Sequence, residues 1–391
     1  MKNINWIWII ALLWFASCNK SDYKPAPVEI PELPGTSTED LVLEVVDNDV
    51  EAFMTRYNVP GLSLAITKNG KLVYAKGYGF ADREAGLKVD TGSQFRLASL
   101  SKWITSTTIM KLIQQGRLGF NDKVFGTGAV LGTTFGTAPY PGNVSQITVE
   151  QLLHHTGGGW GNSSNDPMFA NSTYTQAQLL GWMINDRPLA NTPGTVSDYS
   201  NAGFFILGMI IEKITSKAYQ TYVTDSILKP MGIANMSFAN TSLAGRKPKE
   251  VKYYGVGGTN PYGYAEGVIP RIGGAGAWLA SPIDMMRFLV RVDGFNTVPD
   301  VLDANTLNIM SSKTTASGNY ACGFLVSTNG NWYHGGTYTG TRNWMVRTTT
   351  GYNWVILINT SATGNFSTDL DKLVWPAVNN SSTAWPDKNL F

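Results

Sequence analysis

The sequence predicts an α/β protein of the α+β type: one antiparallel sheet assembled from both ends of the chain, flanked by helices, with an inserted all-helical lobe. Short aromatic and β-branched runs bounded by turn residues lie near the start and again beyond residue 320. Between them, apolar residues recur at helical spacing. The third observation is bulk, since 391 residues that are 43% hydrophobic hold ample material for a core. That length suits two average domains or one large domain whose halves are built from non-contiguous pieces. A net charge of +2 with no long basic run gives no electrostatic case for nucleic acid.

Lys2 precedes an apolar stretch at 6–15, too short to span a bilayer comfortably, and Ala16-Ser17-Cys18 follows. This is the layout of a secretory signal over 1–17, and its ending resembles a bacterial lipoprotein signal. The resemblance implies a lipid on Cys18; an ordinary signal cut elsewhere and an uncleaved anchor are the alternatives. The mature chain is then expected at the bacterial cell envelope, facing the periplasm and joined to the membrane through Cys18. Pro25, Pro27, Pro31 and Pro34 make 18–37 an extended tether.

Helical spacing at 39–57 ends at Pro60-Gly61, and strands at 62–67 and 71–78 flank the turn Lys68-Asn69-Gly70. Helices are expected at 99–115, 149–155, 175–185, 202–215 and 219–228. Residues 245–278, rich in Gly and Tyr, read as a long loop whose Tyr254, Tyr262, Tyr264 and Trp278 help wall a pocket. Strands return at 322–327, 332–334, 344–348 and 354–359, and a helix at 367–378 has Pro376 near its end. The expected sheet lobe covers about 38–95 and 280–378, the helical lobe about 96–279, and a tail follows at 379–391. Cys322, the only cysteine besides Cys18, reads as a small buried hydrophobe rather than a catalytic thiol.

Ser99-Leu-Ser-Lys102 places a hydroxyl and an amine one helical turn apart. A serine is a weak nucleophile until a base takes its proton, and a lysine can do so if burial lowers its pKa. The pattern alone is weak, because Ser-x-x-Lys also starts at Ser17, Ser21 and Ser226. Support comes from Tyr199-Ser-Asn201, just ahead of a strongly apolar helix, where a phenol can relay protons and an amide can hold a substrate. The structural alternative is a helix cap by Asp198 or Ser200. His334-Gly335-Gly336-Thr337 is the third piece: glycine admits a close substrate backbone, and histidine offers a hydrogen bond or a positive charge. His154 and His155, adjacent on a helix and accompanied by no carboxylate cluster, read as structural. No Gly-x-Ser-x-Gly elbow, phosphate loop or zinc spacing is present, so neither cofactor nor metal is expected.

In this order, the three motifs resemble those of the serine β-lactamase and penicillin-binding protein superfamily, nearest its class C β-lactamase and DD-peptidase branch. Phe95-Arg-Leu-Ala-Ser99, Leu152-Leu-His-His-Thr-Gly157 and Gly273-Gly-Ala-Gly276 resemble further family segments, so the likeness covers about 40–375. It implies a β-lactamase/transpeptidase-like fold in which Ser99 is acylated, Lys102 activates it and Tyr199 shuttles protons. It also implies that Asn201, His334 and Gly336 bind substrate, and that the backbone N–H groups of Ser99 and Thr337 form an oxyanion hole. The implied activity is hydrolysis of a D-alanyl peptide, a β-lactam or a small ester by a monomer. A non-hydrolytic penicillin-binding or cell-wall-sensing protein is the alternative. His334 stands where class C β-lactamases carry lysine, which leaves the substrate open.

Overall fold

A computed structural model describes residues 43–262, 269 and 271–391. The leader, the tether with Cys18, the start of the first helix and Tyr264 lie outside the described residues. Every described residue belongs to one compact unit.

Helix α1 (Glu44–Tyr57) closes on Asn58 in the left-handed conformation and hands the chain to β1 (Gly61–Lys68) and β2 (Lys71–Asp82). The short β3 (Leu87–Lys88) and β4 (Phe95–Arg96) follow, then α2 (Ser101–Gln114). Next come α3 (Val149–Leu153), α4 (Gln176–Asp186), α5 (Asn201–Thr215) and α6 (Tyr219–Val223). Beyond β5 (Ser237–Phe238) lie α7 (Gly273–Gly276), β6 (Trp278–Ala280), α8 (Pro282–Leu289) and α9 (Ala304–Ser311). The chain ends with β7 (Leu325–Val326), β8 (Trp332–Tyr338), β9 (Thr341–Arg347), β10 (Tyr352–Ile358), α10 (Phe366–Lys372) and α11 (Trp375–Asn379). Among the described residues, no helix is long and apolar enough to cross a membrane.

The main sheet runs β3-β2-β1-β10-β9-β8-β7, with every pair antiparallel. The two ends of the chain meet at its centre, where Leu62 pairs with Ile358 and Ile66 with Trp354. Side chains alternate across a strand, and β1 divides accordingly. Leu62, Leu64 and Ile66 pack with Val46, Val50, Phe366 and Leu370 of α1 and α10. Ala65, with Val355 and Leu357 of β10, joins the larger core built on α2, α5 and α8. Both faces are therefore covered, which explains why β1 is nearly continuous in apolar burial.

Several details differ from the sequence reading. Ser99 is not in the helix; it lies in the 3₁₀ turn Ala98–Leu100, and α2 begins at Ser101. The strand expected to stop at His334 continues to Tyr338, so the whole His334–Thr337 run is strand. Tyr320-Ala-Cys-Gly-Phe324 is not strand: Gly323 sits at φ +88°, and β7 starts only at Leu325. The helix expected at 367–378 breaks into α10 and α11, because Pro376 opens the second helix instead of ending the first. The supposed loop at 245–278 ends in regular structure, and β6 joins β4 and β5 in a second, three-stranded sheet. Trp278 walls no pocket; it is fully buried against Phe238 and Tyr219. α9 had no counterpart in the sequence reading.

Candidate active site

The chain approaches Ser99 through β4, and that approach is held rigidly. Asn343 of β9 donates from Nδ2 to the carbonyls of Arg96 (2.8 Å) and Leu97 (3.2 Å), while its Oδ1 accepts the Ile358 N–H at 3.1 Å. The Arg96 guanidinium is buried beneath Tyr253, donating to the Asn240 and Pro261 carbonyls and standing 3.6 Å from Glu250. Ala98 then takes φ +50°, a conformation L-residues other than Gly, Asn and Asp seldom adopt, and this turns Ser99 onto the N-terminal end of α2.

Lys102, one turn on, is wholly buried. Its Nζ lies 2.7 Å from Asn201 Oδ1, 2.9 Å from the Ala275 carbonyl and 3.2 Å from Ser99 Oγ. The first two partners are acceptors only, so they take two N–H bonds; a neutral amine then turns its lone pair toward the Ser99 hydroxyl. Burial favours that neutral form and brings the Lys102 pKa down to about 7, against the opposing pull of the Asp166 carboxylate. Asp166 acts through the amide between them, since Asn201 Nδ2 donates to Asp166 Oδ2 at 2.7 Å. Burial in turn raises the Asp166 pKa, with Asn201 and Lys102 among the groups opposing it.

Tyr199 is half-buried, with its hydroxyl closed to water. Its ring lies 4.8 Å from Lys102 Nζ, and its hydroxyl has no formed hydrogen bond, although the nearby Ser99 hydroxyl eases its ionisation. Burial nonetheless keeps the phenol protonated far above the ordinary tyrosine range.

His334 completes the group from β8, with its ring centre 6.1 Å from that of Tyr199. Its Nδ1 lies 2.6 Å from the Gly335 carbonyl and so carries the proton; Nε2 therefore accepts from the Tyr320 hydroxyl at 3.2 Å. Burial first, then Lys102, lower its pKa to about 3. His334 is thus a neutral hydrogen-bonding group, and the positive charge considered for it does not exist at neutral pH. Gly336 lets β8 press against the nucleophile's approach, because a Cβ there would meet the Leu97 carbonyl oxygen at 2.2 Å. Thr337, the next residue, accepts at Oγ1 from Arg342 Nη1 at 2.7 Å.

The structure thus brings Ser99, Lys102, Tyr199, Asn201 and His334 into one cluster and sets Gly336 and Thr337 on the adjoining strand. Cys18 lies outside the described residues. Sequence reasoning missed Asp166, Tyr320 and Asn343, which no local motif marks. It also undervalued His155, whose ring centre lies 4.2 Å from that of Tyr199 and 4.3 Å from that of Tyr320. Its Nδ1 accepts the Ser200 N–H, and its Nε2 is buried without a partner, so it braces the tyrosines from behind. His154 instead faces Glu150, Ser312 and Cys322. Cys322 is free and buried, with its thiol pKa raised by burial. Among the described residues, no group of three His, Cys, Asp or Glu could hold a metal ion.

Two curated relatives share part of this chain. Protein flp of Staphylococcus aureus (strain N315) is 32% identical over 197 residues, which is 50% of this chain and 38% of that protein. A putative D-alanyl-D-alanine carboxypeptidase of Escherichia coli O157:H7 is 28% identical over 257 residues, 60% of this chain and 55% of the relative. The chain thus spans only 38% to 55% of the length of these relatives. Two solved structures share the fold. The octameric penicillin-binding protein homologue from Pyrococcus abyssi has a TM-score of 0.69 at 22% identity, covering 87% of this chain and 77% of its own. The D-amino acid amidase from Ochrobactrum anthropi SV3, complexed with L-phenylalanine amide, has a TM-score of 0.69 at 20% identity, covering 86% and 98%. These likenesses confirm the mixed fold with its antiparallel sheet. The Beta-lactamase family model matches residues 46–378, nearly the whole described chain: the chain belongs to the Beta-lactamase family.

Proposed function

We propose that this protein is an exported serine hydrolase that cleaves an amide or ester through an acyl-Ser99 intermediate. The observation that carries the reading is the Lys102 amine, buried, lowered to about 7 and 3.2 Å from the Ser99 hydroxyl. Ser99 Oγ attacks the substrate carbonyl carbon as its proton passes to Lys102. The backbone N–H groups of Ser99 and Thr337 hold the developing oxyanion, a contribution worth on the order of a hundredfold in rate per donor. Lys102 returns that proton through Tyr199 to the departing amine or alkoxide, so the carbonyl–heteroatom bond breaks while Lys102 is again a neutral amine and Tyr199 a phenol. Water then attacks the acyl carbon, releasing the acid and restoring the Ser99 proton. Asn201, already committed to Lys102 and Asp166, fixes the lysine and presents its remaining N–H to the substrate.

The neutral His334 sets the substrate class. It offers the strand no cation with which to grip a substrate carboxylate, which favours D-aminoacyl amides and small esters over the carboxylate-bearing D-alanyl peptides and β-lactams. The lipid on Cys18, the envelope location and a monomeric state belong to the same reading and rest on the leader pattern and the resemblance.

A turnover panel on residues 19–391 tests it: a p-nitrophenyl ester, a D-aminoacyl anilide, a D-Ala-D-Ala peptide and nitrocefin, with Ser99→Ala as control. Turnover of the first two that Ser99→Ala abolishes supports the reading. A stable acyl adduct without turnover favours a penicillin-binding or cell-wall-sensing role. An intact mass unchanged by both a fluorophosphonate and a penicillin overturns acyl-serine chemistry.

A further inference from the structure

A second cavity, of about 400 Å³, opens between the 294–302 loop, α9 and the Trp332–Arg347 corner of the sheet. None of the Ser99 cluster lines it. Arg347 lines it and is only 9% exposed. The guanidinium lies between two aromatic rings, 4.1 Å from the centre of Phe295 and 4.4 Å from that of Trp332. Its Nε donates to the Asp293 carbonyl at 2.8 Å, which fixes the plane of the fork. Among the described residues its two terminal nitrogens make no hydrogen bond and no ion pair.

Asp300 lines the same cavity. The backbones of Gly294 and Asp293 support its carboxylate from one side, but Oδ1 is buried without a partner. Burial, then the neighbouring Asp293, lifts the Asp300 carboxyl to about 7. Asp293 itself is committed, accepting from the Phe295 N–H and from Asn353 Nδ2, both at 2.9 Å. A cation and a carboxylate thus line one cavity without forming an ion pair. Each is costly to bury unpaired.

We infer that this cavity binds a small zwitterion of the α-amino-acid class, its carboxylate on the Arg347 fork and its ammonium on the Asp300 carboxylate. A planar guanidinium with two free N–H edges fits a carboxylate in bidentate fashion. A carboxylate that lines the same cavity accepts from an ammonium. A space of this size takes a free amino acid or a dipeptide. The inference stands whether or not Ser99 is acylated.

The experiment is titration calorimetry on the full chain carrying Ser99→Ala, with D-alanine, L-alanine, acetate and methylammonium as separate probes. Alanine is expected to bind with a dissociation constant on the order of 1 mM, and each single-charge fragment at least about tenfold more weakly. Asp300→Asn removes the carboxylate, and Asn308→Trp on the exposed side of α9 fills the space. Each should weaken alanine by about tenfold or more while circular dichroism and melting stay at the parent's values. Silence with alanine up to roughly 50 mM overturns the inference, as does binding that neither variant weakens. Acetate binding as tightly as alanine replaces the zwitterion with a simple anion and also refutes it.

Discussion

If Lys102 takes the Ser99 proton, acylation must follow the fraction of lysine that is neutral. With its pKa near 7, that fraction is lost as pH falls, so kcat/KM should rise with pH and level off above about 8. At pH 5, two units below, about 1% of the amine is neutral, and the rate should be about a hundredfold below the plateau. Asp166 supplies the decisive perturbation, because its charge holds the Lys102 pKa up. Two 2.7 Å hydrogen bonds with the Asn201 amide between them put the charges at most about 8 Å apart. At an effective dielectric of about 20 their attraction is about 2 kcal/mol, or about 1.5 pH units. Asp166→Asn keeps the acceptor for Asn201 and removes the charge, so the acid limb should move to about pH 5.5. The assay is p-nitrophenyl ester hydrolysis, or fluorophosphonate labelling followed by intact mass, from pH 4.5 to 9 with Lys102→Arg as the inactive control. A flat profile, or a limb that stays at pH 7 in Asp166→Asn, refutes Lys102 as the base.

Tyr199→Phe should separate chemistry from stability. Its hydroxyl makes no formed hydrogen bond at rest, so the melting temperature should hold while kcat/KM falls by about a hundredfold or more. Gly336→Ala sets a methyl 2.2 Å from a backbone oxygen that cannot swing aside, and labelling of Ser99 should slow by on the order of a hundredfold. Labelling at the parent rate would show that the strand is free to shift. Asn343→Ala strips hydrogen bonds from two buried carbonyls and one buried N–H. Chemical denaturation should report a loss of about 3 kcal/mol; a loss below 1 kcal/mol would mean that water replaces the amide.

The sequence spoke most clearly where a requirement is local. Gly70 with φ +76° closes the β1–β2 hairpin, and the aromatic and β-branched run at 354–359 marks a strand. Ser99, Lys102, Tyr199, Asn201 and His334 were legible because each lies in a short motif. Their partners were not. Asp166, Tyr320 and Asn343 act across 35, 14 and more than 240 residues of chain, and neither periodicity nor propensity carries information over such spans. The charge state of His334 was equally hidden, because it depends on burial beside Lys102 rather than on its neighbours in sequence. Trp278 shows the converse error: aromatic composition suggested a binding wall where the fold needed a core.

The pairing of β1 with β10 also fixes when this chain can first become whole. A polypeptide growing from its N-terminus makes residues 61–68 almost 300 residues before their partner strand. Until 352–358 emerge, β1 offers an open edge of apolar residues to any other strand. His334 and Asn343 arrive just as late, so Ser99 stays unassembled through most of synthesis. Pairing this distant in sequence closes slowly. A chain cut short before β10 therefore loses the centre of its sheet, not a dispensable end.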